Sequence, residues 1–190
     1  MNYLAHSYLS FSDQQIVGQF LEDYVKNNAR GNLPKQIQQG IILHREIDTF
    51  TDSHPIISEA KQIYQPLVRL YSGAFIDVSF DYFLANHLAE KELKSHTDKV
   101  YLALRKHQFF FPESFESRLN GMQKDNWLYN YRFEWGIKYS FQNVLNKAKY
   151  LEKDIPIFEV FLKNKAFLQE KFNLFFPDLL AHITKTNSQF

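Results

Sequence analysis

"PKQIQQGIILHREIDTFTDSHP", residues 34–55, lies between two prolines. Proline suits the first position of a helix, so the stretch predicts one helix from Pro34 to about Asp52 and a second from Pro55 through Leu70. Its later half, "HREIDTFTDSHP" (44–55), crowds two histidines, two aspartates, a glutamate and an arginine around only two large apolar residues, Ile47 and Phe50. Solvated helix faces ordinarily use Lys and Glu and have no particular need of imidazole. His44, Asp48 and Asp52 are spaced by four, and at ~100° per residue each step drifts only about 40° around the axis. All three share one side of the helix, and adjacent pairs reach a single ion. The alternative is a chemically idle acidic helix end.

Outward from this helix, apolar residues recur almost everywhere at helical spacing, and sustained alternation of period two is hard to find. "SDQQIVGQFLEDYVKN" offers Ser12 or Asp13 as N-cap before the stripe Ile16, Val17, Phe20, Leu21 and Tyr24, and "NNARGNLP" stops it with Gly31 and Pro34. "SGAFIDVSFDYFLANHLAEKEL" predicts a helix after Gly73 with Phe75, Val78, Phe83 and Leu84 on its apolar side. Further helices are expected around 98 to 110, 113 to 149 with interruptions, and 154 to 175, the last with Phe161, Leu168, Phe172 and Phe176 as a buried stripe. Without repeats or Gly/Ser-rich linkers, the expected fold is all-α: one compact multi-helix bundle of about seven to nine helices filling residues 1–190 as a single domain.

Composition excludes several functions. Lys and Arg number 22 against 21 Asp and Glu, so no overall field attracts nucleic acid or an anionic membrane. "WLYNYRFEW" has the aromatics of a base-stacking platform but only Arg132 as a cation, and reads as core. There is no cysteine, which leaves imidazole and carboxylate as the metal ligands. "MNYLAHSYLS" lacks a basic region and carries His6 in its apolar part, unlike a signal peptide, and no apolar run approaches the ~18 residues of a membrane span. A cytoplasmic protein is expected.

The other ionisable residues extend the first cluster. Asp77 and Asp81 stand one turn apart in "DVSFD", His87 follows in "FDYFLANH", Asp23 ends the first stripe, and His6 follows mostly apolar residues. Aspartates one turn apart repel unless a cation lies between them, although such pairs are commonly solvated or matched with Lys or Arg. Mixed imidazole and carboxylate ligands suit Mn, Fe or Zn; an all-oxygen shell points to Mg or Ca. His6 alone reads equally as a core histidine, and His96, His107 and His182 read as surface. With no glycine-rich phosphate loop and no nucleophile elbow, a metal-activated water is the best nucleophile available.

Several of these pieces together resemble a known family, the acyl carrier protein phosphodiesterases, also called holo-acyl-carrier-protein hydrolases. They are "MNYLAH", "VGQFLEDYVK", "GIILHREIDTFTDSHP", "DVSFDYFLANH", "WLYNYRFEWGI" and "FFPDLLAH", in the family's order and over nearly the whole chain. One departure stands out: Gly18 and Gln19 take the place of the family's usual Gly-Asn before the aspartate, Asp23, that is retained. The resemblance implies an all-helical enzyme similar to the HD-type phosphohydrolases. It would use a divalent ion, typically Mn2+, with Fe2+, Zn2+ or Mg2+ as alternatives, to remove 4'-phosphopantetheine from holo-acyl carrier protein.

On this reading Asp23, His44, Asp48, Asp77 and Asp81 are the expected metal ligands. His6, His87 and Asp52 orient ligands or carry a proton to the departing serine oxygen, and Arg45 offsets phosphate charge. Lys26, Arg30 and Lys35 are expected at the site mouth, facing an acidic carrier. Hydrolysis of a nucleotide or another small phosphodiester keeps the metal and changes the substrate. A helical metal-binding module without turnover is the non-enzymatic alternative.

Overall fold

The computed structural model describes residues 1–190 apart from the side chain of Asn27. The described residues form α-helices and short 3-10 turns, with no strand among them. The order is α1 (Tyr3–Tyr8), α2 (Asp13–Leu21), α3 (Lys35–Ser53), α4 (Pro55–Lys61), α5 (Gln65–Val68), α6 (Ser72–His87), α7 (Glu90–Lys106), α8 (Glu113–Lys124), α9 (Trp127–Asn130), α10 (Glu134–Lys147), α11 (Ile157–Lys163) and α12 (Lys165–Asn187). No helix is long and apolar enough to cross a membrane.

Local chemistry sets most boundaries. Ser12 caps α2 by accepting from the Gln15 amide at 3.2 Å. Pro34 and Pro55 frame α3 as expected, and the His54 ring accepts from the Ile56 amide to cap α4. The helix expected through Leu70 breaks after Lys61, because Pro66 cannot donate to a preceding turn and restarts the chain as α5. The helix expected to end near 175 instead runs to Asn187 through Pro177, since Leu179 and Ile183 continue its buried side.

α6 forms the centre. Phe75, Ile76, Val78, Phe80, Phe83 and Leu84 are buried around its whole circumference, which makes it a core helix rather than an amphipathic one. Phe80 and Phe83 meet Phe172 at ring separations of 5.6 and 6.0 Å, and Phe75 meets Phe141 at 5.8 Å. These rings fix α10 and α12 against α6. α2 and α3 approach more closely than side chains would allow, because Gly18 and Gly40 face each other across the crossing.

His96 departs from its expected surface position. Its ring lies half-buried, edge-on to Tyr8 at 5.5 Å, with Nε2 3.0 Å from Ser7 Oγ. That hydroxyl already donates to the Leu4 carbonyl, so the imidazole N–H donates to the hydroxyl. Burial first, and the charge of Lys99 second, bring the imidazole pKa from 6.5 to about 4. The folded value lies below the unfolded one, so the unfolded chain takes up the proton first, and stability is lost as pH falls through 6.5 toward about 4. Urea melts across this window should show His96→Gln with the shallower pH dependence, by up to one proton; an unchanged slope would contradict the buried neutral ring.

Candidate functional site

The site forms where α1, α2, α3 and α6 meet. α3 presents His44 and Asp48 one turn apart, as the spacing requires, with His44 Nε2 3.3 Å from Asp48 Oδ2. α1 adds His6, whose Nε2 lies 3.2 Å from Asp48 Oδ1 and whose ring stacks on His44 with centroids 4.1 Å apart. One donor atom from each of the three residues falls within 4.8 Å of the others. They border a cavity of about 290 Å³ whose walls also include Asp23, Thr51, Asp52 and Asp77.

Gln19, on α2, orients both rings. Its backbone carbonyl lies 2.8 Å from His44 Nδ1, and its side-chain oxygen 3.0 Å from His6 Nδ1. A carbonyl only accepts, so His44 carries its proton on Nδ1 and a neutral ring turns the bare Nε2 toward the Asp48 carboxylate. A lone pair facing a carboxylate is stable only with a proton or a metal cation between them. Burial lowers the His44 pKa, but the bond to Asp48 and the charges of Asp48 and Asp23 outweigh it and raise it. For His6 burial prevails and lowers the pKa. Asp48 sits well below the usual carboxylate range: the two imidazoles and the Met1 ammonium overcome its burial. Two imidazole nitrogens and one carboxylate fit a divalent transition metal, which His6 Nε2 would take in exchange for the Met1 carbonyl that it also faces at 3.1 Å.

The remaining expected residues divide. Asp23 is exposed on the cavity wall. Asp52 is on that wall too, paired with Lys61 at 2.9 Å. Asp77 accepts from the Met1 ammonium at 2.9 Å. Asp81 is fully buried and accepts from the amides of Leu4 at 2.8 Å, Ala5 at 3.2 Å and Asn2 at 3.4 Å, thereby capping α1 from a distant part of the chain. Burial pushes its carboxyl up to about 7 against the pull of those amides. His87 is exposed at the end of α6, 6.4 Å from Phe172 and outside the cluster. Arg45 bonds Glu22 at 2.9 Å. Arg30 is also turned to Glu22, at 2.7 Å, so of the three expected rim cations Lys26 and Lys35 remain exposed and Arg30 is held in an ion pair.

Gln19 was named in the sequence only as a departure, yet its two oxygens connect both histidines. A backbone carbonyl has no sequence signal, and the amide side chain acquires meaning only once α1 is folded beside α2. His6 stands among the donor atoms rather than behind them.

The family described as acyl carrier protein phosphodiesterase matches residues 1–179. The chain belongs to that family. Phosphodiesterases are hydrolases, so it is an enzyme of that class. A relative from Yersinia pestis, named acyl carrier protein phosphodiesterase, is 28% identical over 95% of this chain and 96% of its own length. Relatives of the same name are 26% identical over 69% of both chains in Photorhabdus laumondii, and 36% identical over 47% of both in Klebsiella pneumoniae. No solved structure matches, so the expected likeness to HD-type phosphohydrolases is not among these findings.

Proposed function

We propose that the chain hydrolyses the phosphodiester joining a carrier-protein serine to 4'-phosphopantetheine, with a divalent metal at His6, His44 and Asp48. The observation that carries this reading is His44 Nε2 facing the Asp48 carboxylate beside His6, with the Gln19 carbonyl at Nδ1, in a chain of the phosphodiesterase family. A metal there, Mn2+ by the family resemblance, supplies polarisation of a phosphoryl oxygen and a lowered pKa for water. Asp23, open on the same cavity wall but outside the three-residue cluster, adds negative charge beside the ion. Gln19 holds the imidazoles in register, and Asp81 holds the short helix that carries His6. Asp77 and Asp52, engaged by the Met1 ammonium and Lys61, set the charge of the cavity.

The overall step is balanced simply. Water adds to phosphorus, the bond from phosphorus to the serine oxygen breaks, and one water proton passes to that oxygen. The products are the apo carrier and free 4'-phosphopantetheine. The test is mass spectrometry of holo carrier protein incubated with the enzyme and Mn2+. The carrier should lose the mass of the prosthetic group, lose none after chelation, and lose it again when Mn2+ is restored. An unchanged carrier mass, with cleavage of nucleotides or small diesters, would assign a different phosphodiester; no cleavage of any of them would leave a binding module.

A further inference from the structure

A second cavity, of about 630 Å³, adjoins the first, and Asn2 and Tyr3 are walls of both. Its size falls within the ~300–1,000 Å³ of small-molecule sites and is far too small for a folded protein. The segment "WLYNYRFEW", expected in the core, also supplies part of its wall through Trp127, Tyr131 and Trp135: Tyr131 is buried while Trp135 stays 60% exposed, and Tyr139, one turn further along α10, is 56% exposed. Large aromatic rings left open on a concave wall suit a partly apolar guest. Asn143, half-buried in the same wall, makes no side-chain hydrogen bond among the described residues.

The wall next to the metal site is cationic. Arg118 donates to the Tyr3 hydroxyl at 2.8 Å and lies over the Tyr24 ring; Lys147 makes no ion pair among the described residues. Partial burial first, and the charge of Arg118 second, lower the Lys147 pKa. Asp125 borders the cavity without pairing to either, and Asp23 offsets them only through space. Two neighbouring cations without a carboxylate between them favour an anion.

We propose that this cavity receives the 4'-phosphopantetheine arm, its chain against Trp135 and Tyr139 and its phosphate end toward Arg118 and Lys147; the proposal rests on the phosphodiesterase reading above. The substrate's phosphodiester has one bulky, folded side and one thin, flexible side. Only the thin side fits a cavity of this size, so the carrier stays outside and the arm threads past Tyr3. The arm's methyl groups meet the rings, and its amides meet Asn143.

Calorimetric titration of 4'-phosphopantetheine into the full chain tests this. One molecule should bind, and Ser140→Trp, which places an indole in the cavity, should weaken binding at least tenfold. Trp135→Ala, at an exposed position that folding tolerates, should weaken it severalfold. Lys147→Ala should weaken 4'-phosphopantetheine but leave unphosphorylated pantetheine unchanged. No binding to the wild type, or equal binding by Ser140→Trp and Trp135→Ala, would overturn the proposal. The two readings fail separately. An uncleaved holo carrier, with arm binding still sensitive to these variants, would remove the reaction alone. Cleavage with unchanged KM in both wall variants would remove the cavity alone.

Discussion

His44→Ala and Asp48→Ala each lower turnover on holo carrier protein by more than about a hundredfold, while far-ultraviolet circular dichroism changes little. The magnitude follows from the proposed position: loss of a group that merely orients a ligand costs about 10–100-fold, and on that reading these residues supply the donor atoms themselves. Gln19→Ala therefore falls inside that smaller range, because it removes the amide at His6 and keeps the carbonyl at His44. Helical content is spared because both side chains line the cavity rather than the apolar core, while loss of the His44 ring or of the Asp48 ion pairs lowers the melting point modestly. Wild-type turnover in either alanine variant, measured as loss of carrier mass with Mn2+ present, would remove the assigned centre.

Gly18→Ala or Gly40→Ala destabilises the fold by about 3 kcal/mol, the upper end of the overpacking range. A Cβ at Gly18 would fall on the Ile37 carbonyl and lie 2.7 Å from the Gly40 Cα; one at Gly40 would fall on the Gln15 carbonyl and lie 2.8 Å from the Gln15 Cα. These neighbours are backbone and cannot rotate away. No glycine has a positive φ, so space rather than conformation demands the residue. The sign of the effect decides the matter. Alanine in an unhindered helix stabilises by ~1 kcal/mol relative to glycine, so a loss in urea melts reports the close crossing and a gain denies it. Against a total of ~5–15 kcal/mol the loss is large. Pushing α2 from α3 also draws the Gln19 carbonyl off His44, and activity falls with stability.

What could be read from the sequence was local. Pro34 and Pro55 bounded α3 to within a residue, and the four-residue spacing put His44 and Asp48 together, because a helix's own geometry relates them. The helix expected to stop near 175 runs on to Asn187, since Leu179 and Ile183 find a core supplied by distant helices. "DVSFD" resembled a ligand pair, but burial separates its members: Asp77 faces the cavity and Asp81 turns to the amides of α1. Spacing alone does not distinguish a carboxylate that meets an ion from one that meets backbone.

The use of Asp81 as a cap has a consequence for the order of folding. A helix of six residues does not persist alone in water, so α1 forms only when α6, already in the core, offers Asp81 to the amides of Leu4 and Ala5. His6 therefore reaches His44 late, after the bundle has assembled. The proposed centre thus depends on a contact between chain segments more than seventy residues apart, which no local helix geometry supplies.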